Sequence, residues 1–193
     1  MIGALTLAAA CGMAWADQPL PRIGSVPPVS VQALGLDGKS VAPLGAKGPI
    51  VVFVVLSECP RANQIAPEIG RIIREHEPKG IHSLIVYAEP SLAPAEAAKH
   101  KTTYSLPGAA CIDSKWEVCR ALGATISPEA IVLDRNGAIA YRGRIDDRFP
   151  SIARPAAEPK SFDLRNALND VIAGLKVRTP ETEAVGCLLP WRF

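Results

Sequence analysis

The chain has 193 residues, 48% hydrophobic and 21% charged, which suits one globular domain with a sizeable core. Its 21 basic and 19 acidic residues are scattered and leave a formal net charge of +2. That balance provides no field strong enough to gather nucleic acid or an anionic membrane, so neither is an expected partner.

Residues 1–16, MIGALTLAAACGMAWA, carry no charge and close in Ala14-Trp15-Ala16 ahead of Asp17. They are too short to span a bilayer as a mature helix, and read as a signal peptide with a small-residue cleavage site, although the usual positive n-region is missing. A second reading makes Leu7–Cys11 a lipoprotein site; a membrane is expected as a partner only if Cys11 is lipidated. Export leaves Cys59, Cys111, Cys119 and Cys187, an even number in a compartment where disulfides persist. Three complete pairings are open.

Residues 17–28 form a Pro-rich lead-in that cannot make regular helix or an interior strand. VSVQALGLDGKSVAPL gives two short alternating runs around Asp37-Gly38, a hairpin signal. After Gly48-Pro49, IVVFVVL is an unbroken apolar run, the pattern of a strand buried on both faces. Past Cys59 the period changes. Ile65, Ile69, Ile72 and Ile73 recur at helical spacing, Arg71, Arg74 and Glu75 take the other side, and Pro78-Lys79-Gly80 stops the run. Pro67 is expected to kink this helix.

IHSLIVYAE is a second central strand, and a helix follows from near Pro94. A short strand around GAACI leads to Asp113, expected as the N-cap of the helix SKWEVCRALG, which Gly123 ends. EAIVLD and AIAYRGRI flank Asp134-Arg135-Asn136-Gly137, another hairpin signal. The helix FDLRNALNDVIAGLK carries Leu164, Ala167, Leu168, Val171, Ile172 and Leu175 in one apolar stripe. The tail, 177–193, has no regular period. Parallel crossovers followed by a hairpin imply a mixed sheet covered on both faces, a three-layer α/β/α sandwich over residues 29–176 with an N-terminal β-hairpin.

Cys59 stands where a buried strand ends and a helix begins. Unpaired backbone N–H groups and the positive end of the helix dipole favour negative charge there, and the thiolate is the reactive form of cysteine. Pro60 suits the first helical position, which needs no N–H. Glu58 opposes a thiolate if it points inward, and is expected to face solvent. Such a cysteine can be a nucleophile, a disulfide partner, a metal ligand or simple packing. Cys119, at helical spacing with Trp116 and Leu122, reads as buried, and Cys111 as a small packed hydrophobe. A Cys111–Cys119 bridge is awkward, since a strand and its covering helix lie roughly 10 Å apart. His76, His82 and His100 form no metal-ligand spacing, and His76 and His100 read as exposed. Asp146-Asp147 beside Arg144 and Arg148 reads as a salt-bridged loop rather than an acid pair. No Gly-rich phosphate loop or catalytic Ser-His-Asp pattern appears, and no cofactor or resident metal is expected.

The order and spacing of SECPRANQIAPEI, SPEAIVLD, YRGRIDD, DLRNAL and the late Gly186-Cys187 resemble exported thioredoxin-like redoxin-domain proteins, related to the alkyl hydroperoxide reductase and thiol-specific antioxidant group. The resemblance spans about residues 29–175. It implies a cis Pro128 packed beside Cys59, which leaves the Ser127 backbone free to pair with an extended peptide. Ala62 stands where thioredoxins carry their second cysteine, so a local CxxC disulfide cannot form. Leu56 stands where thiol-specific peroxidases carry Thr or Ser, and their active-site arginine falls near Ser127; Arg61 and Arg144 are the alternative cations. Related peroxidases use a late cysteine, which makes Cys187 the first choice to resolve an oxidised Cys59, within the chain or across two subunits. The expectation is an exported thiol-dependent oxidoreductase in which Cys59 reacts with a peroxide or a disulfide, its partners a thiol or disulfide electron donor or a partner protein. The alternative is a non-catalytic binding module of the same fold, holding a partner protein, or copper through Cys59, Cys187 and one histidine.

Overall fold

The computed structural model describes residues 19–154 and 157–192. The expected signal peptide and Cys11 lie outside the described residues. Among those described, no helix is long and apolar enough to cross a membrane.

The hairpin at Asp37-Gly38 forms as its sequence predicts, between β1 (Ala33–Gly35) and β2 (Ser40–Val41). Gly38 takes a φ of 79°, the left-handed turn conformation that glycine adopts without steric cost. The β-branched run becomes β3 (Ile50–Val55), buried along its whole length. It pairs in parallel with β4 (His82–Tyr87), which pairs in parallel with β5 (Ala109–Ile112). On its other side β3 pairs antiparallel with β7 (Glu129–Leu133), and β7 turns through Asn136-Gly137 into β8 (Ile139–Gly143). The seven-stranded mixed sheet runs β2-β1-β5-β4-β3-β7-β8.

Alternate side chains of β3 enter two separate cores, as a strand period of two requires. Val51, Phe53 and Val55 join Ile65, Ile69, Ile72 and Ile73 of α1 (Pro60–His76), Ala97 of α2 (Pro94–Thr103), and Leu164 and Leu168 of α4 (Asp163–Ile172). Ile50, Val52 and Val54 join Val118, Cys119 and Leu122 of α3 (Glu117–Leu122) on the opposite face. This is a thioredoxin-like three-layer α/β/α sandwich.

Pro67 sits inside α1, which runs unbroken from Pro60 to His76. Several local expectations are corrected. α3 starts at Glu117 rather than after Asp113, because Trp116 takes a left-handed φ of 61°; the Asp113 carboxylate still caps the first turn, accepting the Cys119 N–H at 2.7 Å. α4 stops at Ile172, so Leu175 falls beyond it and is exposed. The tail is not irregular throughout. Residues 180–182 run along the edge of β8, with the Arg142 N–H donating to Pro180 O and the Thr182 N–H to Arg142 O. Cys187–Leu188 then forms β9, paired antiparallel with a two-residue strand, β6 (Ile126–Ser127).

Candidate active site

β3 delivers the chain to the turn Leu56–Cys59, and Cys59 is the N-cap of α1 with an extended backbone (φ −75°, ψ 115°), followed by Pro60 in the first helical turn. The first turn contains no acidic side chain. A negative charge on the Cys59 sulfur would therefore meet the free amides of a 17-residue helix with no carboxylate opposing it in that turn. Glu58 is exposed, as expected.

Hydrogen bonds fix this turn from two sides. The Leu56 N–H donates to Ser127 Oγ at 2.7 Å. The Ser57 N–H donates to Glu89 Oε1, its hydroxyl to Glu89 Oε2 at 3.0 Å, and its carbonyl accepts from Asn63 Nδ2 at 2.9 Å. Asn63 Oδ1 in turn accepts from His100 Nε2 at 2.9 Å, and Tyr87 OH donates to His100 Nδ1 at 3.0 Å. Burial holds the His100 imidazole below its ordinary value, against the opposing pull of Glu89 and the Ser57 backbone, so the ring is neutral near pH 7 and can accept on one nitrogen while donating from the other. Burial also pushes the Tyr87 hydroxyl up, which keeps it a donor. His100 is thus a half-buried structural member rather than an exposed side chain. His76 is fully buried as well, bonded through Nδ1 to Ile72 O at 2.8 Å. A cavity of about 540 Å³ opens beside this network, lined among others by Ser57, Glu58, Glu89 and His100.

Cys59, Pro128 and Cys187 come together. The Ser127-Pro128 peptide is cis, and Cys59 Sγ lies 3.1 Å from Ser127 O. Cys59 and Cys187 form a disulfide with a Cα separation of 6.2 Å, across 128 residues of sequence. That separation lies within the usual range for such bridges. β9 sets the register: Cys187 is opposite Ser127, and Leu188 opposite Ile126. Gly186 packs flat on this loop. A Cβ built there falls onto the Ser127 carbonyl oxygen and 3.0 Å from Pro128 Cδ, so no larger residue fits without moving backbone. Beyond β9, the Leu189 N–H donates to Thr125 O at 2.9 Å, and Trp191 Nε1 to Ala124 O at 2.9 Å.

In the disulfide form the Cys59 sulfur is not presented to solvent. Cys59 is 2% exposed because the tail lies over it, whereas Cys187 is half-buried and forms the way in. Neither candidate cation is free to serve the sulfur. The Arg61 guanidinium stacks 4.7 Å from the Phe149 ring centre and donates to Ile152 O and Arg154 O, and Arg144 pairs with Asp163 at 2.7 Å. Asp146 binds Arg148 and Asp147 accepts the Lys160 and Ser161 amides, the salt-bridged loop that the sequence suggested. Cys111 and Cys119 are both buried and free, and burial pushes the Cys111 thiol up to about 12. Among the described residues no group of three His, Cys, Asp or Glu side chains is arranged to hold a metal ion, and a disulfide offers copper no thiolate.

The Redoxin family pattern matches residues 22–156, which include Cys59 and the Ser127-Pro128 turn. The chain belongs to the Redoxin family. Cys187 lies beyond the matched stretch, so the redoxin's own sequence signature does not contain the partner of Cys59. Among curated proteins, none matches the chain. Similar solved structures include a hypothetical protein of Sinorhizobium meliloti, 20% identical with a TM-score of 0.76, covering 90% of this redoxin and 96% of that chain. A Chlorobium tepidum protein assigned to thiol:disulfide interchange, of the DsbE type, is 16% identical with a TM-score of 0.60, covering 80% and 99%. A secreted disulfide oxidoreductase of Mycobacterium tuberculosis is 13% identical with a TM-score of 0.53, covering 76% and 97%. All three share the thioredoxin-like fold.

Two features of the site escaped sequence reasoning. The Asn63–His100 contact joins residues 37 apart, and no local pattern announces it. Glu129, directly after Pro128, is buried with its carboxylate accepting the Thr125 N–H at 2.8 Å. An acidic residue at the start of an otherwise apolar strand was the available signal.

Proposed function

We propose that the protein is an exported thiol-disulfide oxidoreductase in which Cys59 is the attacking and leaving sulfur and Cys187 the resolving thiol. The single observation that carries this reading is the Cys59–Cys187 disulfide, seated at the N-terminus of α1 against the Ser127-Pro128 turn. The helix end stabilises Cys59 as a thiolate, which makes it both a good nucleophile and a good leaving group. In the oxidised form an external dithiol reaches the half-buried Cys187 sulfur first, and Cys59 departs as thiolate. In the reduced form the Cys59 thiolate attacks a substrate disulfide, giving a mixed disulfide and releasing one substrate thiolate. Cys187 then attacks Cys59 Sγ, which restores the internal disulfide and frees the second thiolate. Two electrons pass from the dithiol to the substrate.

A disulfide suits this site better than a peroxide. Arg61 and Arg144 are both committed elsewhere, and Leu56 offers only its backbone, which already bonds Ser127. Export rests on the pattern of residues 1–16 and on the disulfide itself, which persists in oxidising compartments. The proposed organisation is a signal peptide over 1–16, a lead-in over 17–28, the redoxin domain over 29–176 and a resolving tail over 177–193.

Dithiol-dependent reduction of a protein disulfide tests the assignment. Wild type should turn over, Cys59→Ser should not, and Cys187→Ser should stall as a Cys59 mixed disulfide visible by intact-protein mass spectrometry. Equal rates for wild type and Cys59→Ser would sink the reading.

A further inference from the structure

The tail does more than carry a thiol to Cys59. It binds as an extended strand with a defined side-chain pattern. Gly186 lies flat on the Ser127 carbonyl and Pro128, Cys187 bonds Cys59, and Leu188 points outward, 58% exposed. Leu189 is fully buried within the apolar cluster that includes Val118, Leu122 and Ala124. Upstream, 180–182 are held to β8 by backbone hydrogen bonds that do not involve the disulfide. Once the Cys59–Cys187 bond is reduced, the segment 186–189 can leave β6 while the chain stays tethered at 182. Its departure bares the Ser127 edge, a flat floor that admits no Cβ, and the apolar socket of Leu189.

We infer that this vacated groove selects the protein substrate, and that the substrate is an extended segment patterned like the tail: glycine directly before the reacting cysteine and a bulky aliphatic residue two positions after it. The inference rests on the oxidoreductase reading above. The Cys59 thiolate attacks the cysteine of such a segment where it is disulfide-bonded. The Cys59–substrate S–S bond forms as the substrate's own S–S bond breaks, and the other substrate sulfur leaves as thiolate. Return of the tail brings the Cys187 thiolate onto Cys59 Sγ, re-forms the internal bond and expels the segment with its cysteine reduced. An external dithiol then reduces the Cys59–Cys187 pair again. The tail and the substrate use the same groove in alternation, so product release and resolution are one event.

The test uses full-length Cys187→Ser protein and synthetic peptides AVGCLLPWR whose cysteine carries a thionitrobenzoate leaving group. Release of the chromophore reports attack by Cys59. Replacing the peptide glycine by alanine, or the leucine two after cysteine by alanine, should slow the reaction about tenfold or more, since burying one leucine side chain is worth roughly 10- to 100-fold in affinity. Replacing the outward leucine directly after cysteine should leave the rate within about twofold. Equal rates for the glycine and alanine peptides, with the protein fully reactive toward all of them, overturn the inference and spare the oxidoreductase reading. No reaction with any peptide or with a small aromatic disulfide overturns both. A second variant guards against misfolding of the first: in Gly186→Ala with both cysteines present, the internal disulfide should be reduced at about tenfold lower reducing strength of a glutathione buffer than in wild type. An unchanged equilibrium counts against the groove's selectivity.

Discussion

At Glu129 the physics of one buried carboxyl reaches the site. The residue follows Pro128, is 6% exposed, and uses Oε2 to hold the Thr125 and Ile126 amides, the lead into the strand on which the tail docks. Burial pushes its carboxyl up to about 7, against the lowering effect of those two amides and of Arg142, and with Glu181 adding to the rise. The folded state therefore holds this proton more tightly than the unfolded chain, whose carboxyl ionises near 4.5. The resulting stabilisation is complete below about pH 4.5 and is lost as the pH rises through 7, a swing of roughly 3 kcal/mol for the full shift. His76, whose pKa burial lowers, acts in the opposite sense because its folded form resists protonation at low pH. Subtracting a variant removes it. Urea unfolding of wild type and Glu129→Gln at pH 5 and pH 8 should show wild type losing stability relative to the variant across that range. A difference between the two proteins that does not change with pH would show that Glu129 ionises normally in the fold.

Among the elements, α1 does two jobs, and the sequence displayed only one of them. Its inward stripe, Ile65, Ile69, Ile72 and Ile73, is legible from the 3.6-residue period and fills one core. Its first turn also reaches sideways through Asn63 to the Ser57 carbonyl and to His100 on α2, and so immobilises the turn that carries Cys59. Asn63→Ala leaves the Ser57 carbonyl and the His100 Nε2–H without these partners, which should cost about 1–3 kcal/mol of stability in urea titration and slow the reaction of reduced Cys59 with a small disulfide. An unchanged midpoint and rate would show that water replaces the amide. The rest of the fold divides along the same line. The change of period at Cys59, the turn residues Asp37-Gly38 and Asn136-Gly137, and the unbroken apolar run of β3 are local signals, and each element stands where they put it. β9 is not local: two residues become a strand only because β6 lies opposite them, and nothing in GCLLPWR has a strand period. α3 begins late because Trp116 takes a left-handed backbone between Asp113 and Glu117, which no local pattern announces, although Asp113 still holds the Cys119 amide of the first turn. The place of Cys59 at the strand-to-helix junction was readable from position, and the juxtaposition of Pro128 and Cys187 with it only through family resemblance. The buried state of His76 and His100 was not, because histidine exposure depends on what packs against it.

For the molecule as a whole, the disulfide closes a loop spanning 128 residues, from the end of the central strand to the chain's far end. Closing so long a loop restricts the unfolded chain far more than the folded one, where the tail already rests on β8 at 180–182 and inserts Leu189 into the second core. The chain-entropy estimate for a loop of this length is about 5 kcal/mol, an upper bound because the unfolded chain keeps some residual structure. Folding and oxidation are then linked, since whatever the bond adds to the stability of the fold, the fold adds to the stability of the bond. The linkage suits the proposed cycle, in which the tail displaces a bound substrate at each turn. Guanidinium titrations of the oxidised protein and of the same protein in excess dithiol should differ by several kcal/mol, and Cys187→Ser should match the reduced curve under both conditions, because Cys111 and Cys119 are free thiols with no bond to lose. If the oxidised and reduced curves coincide to within about 1 kcal/mol, strain in the closed form offsets the entropy of the loop, and the tail is held by its strand pairing and by Leu189 instead.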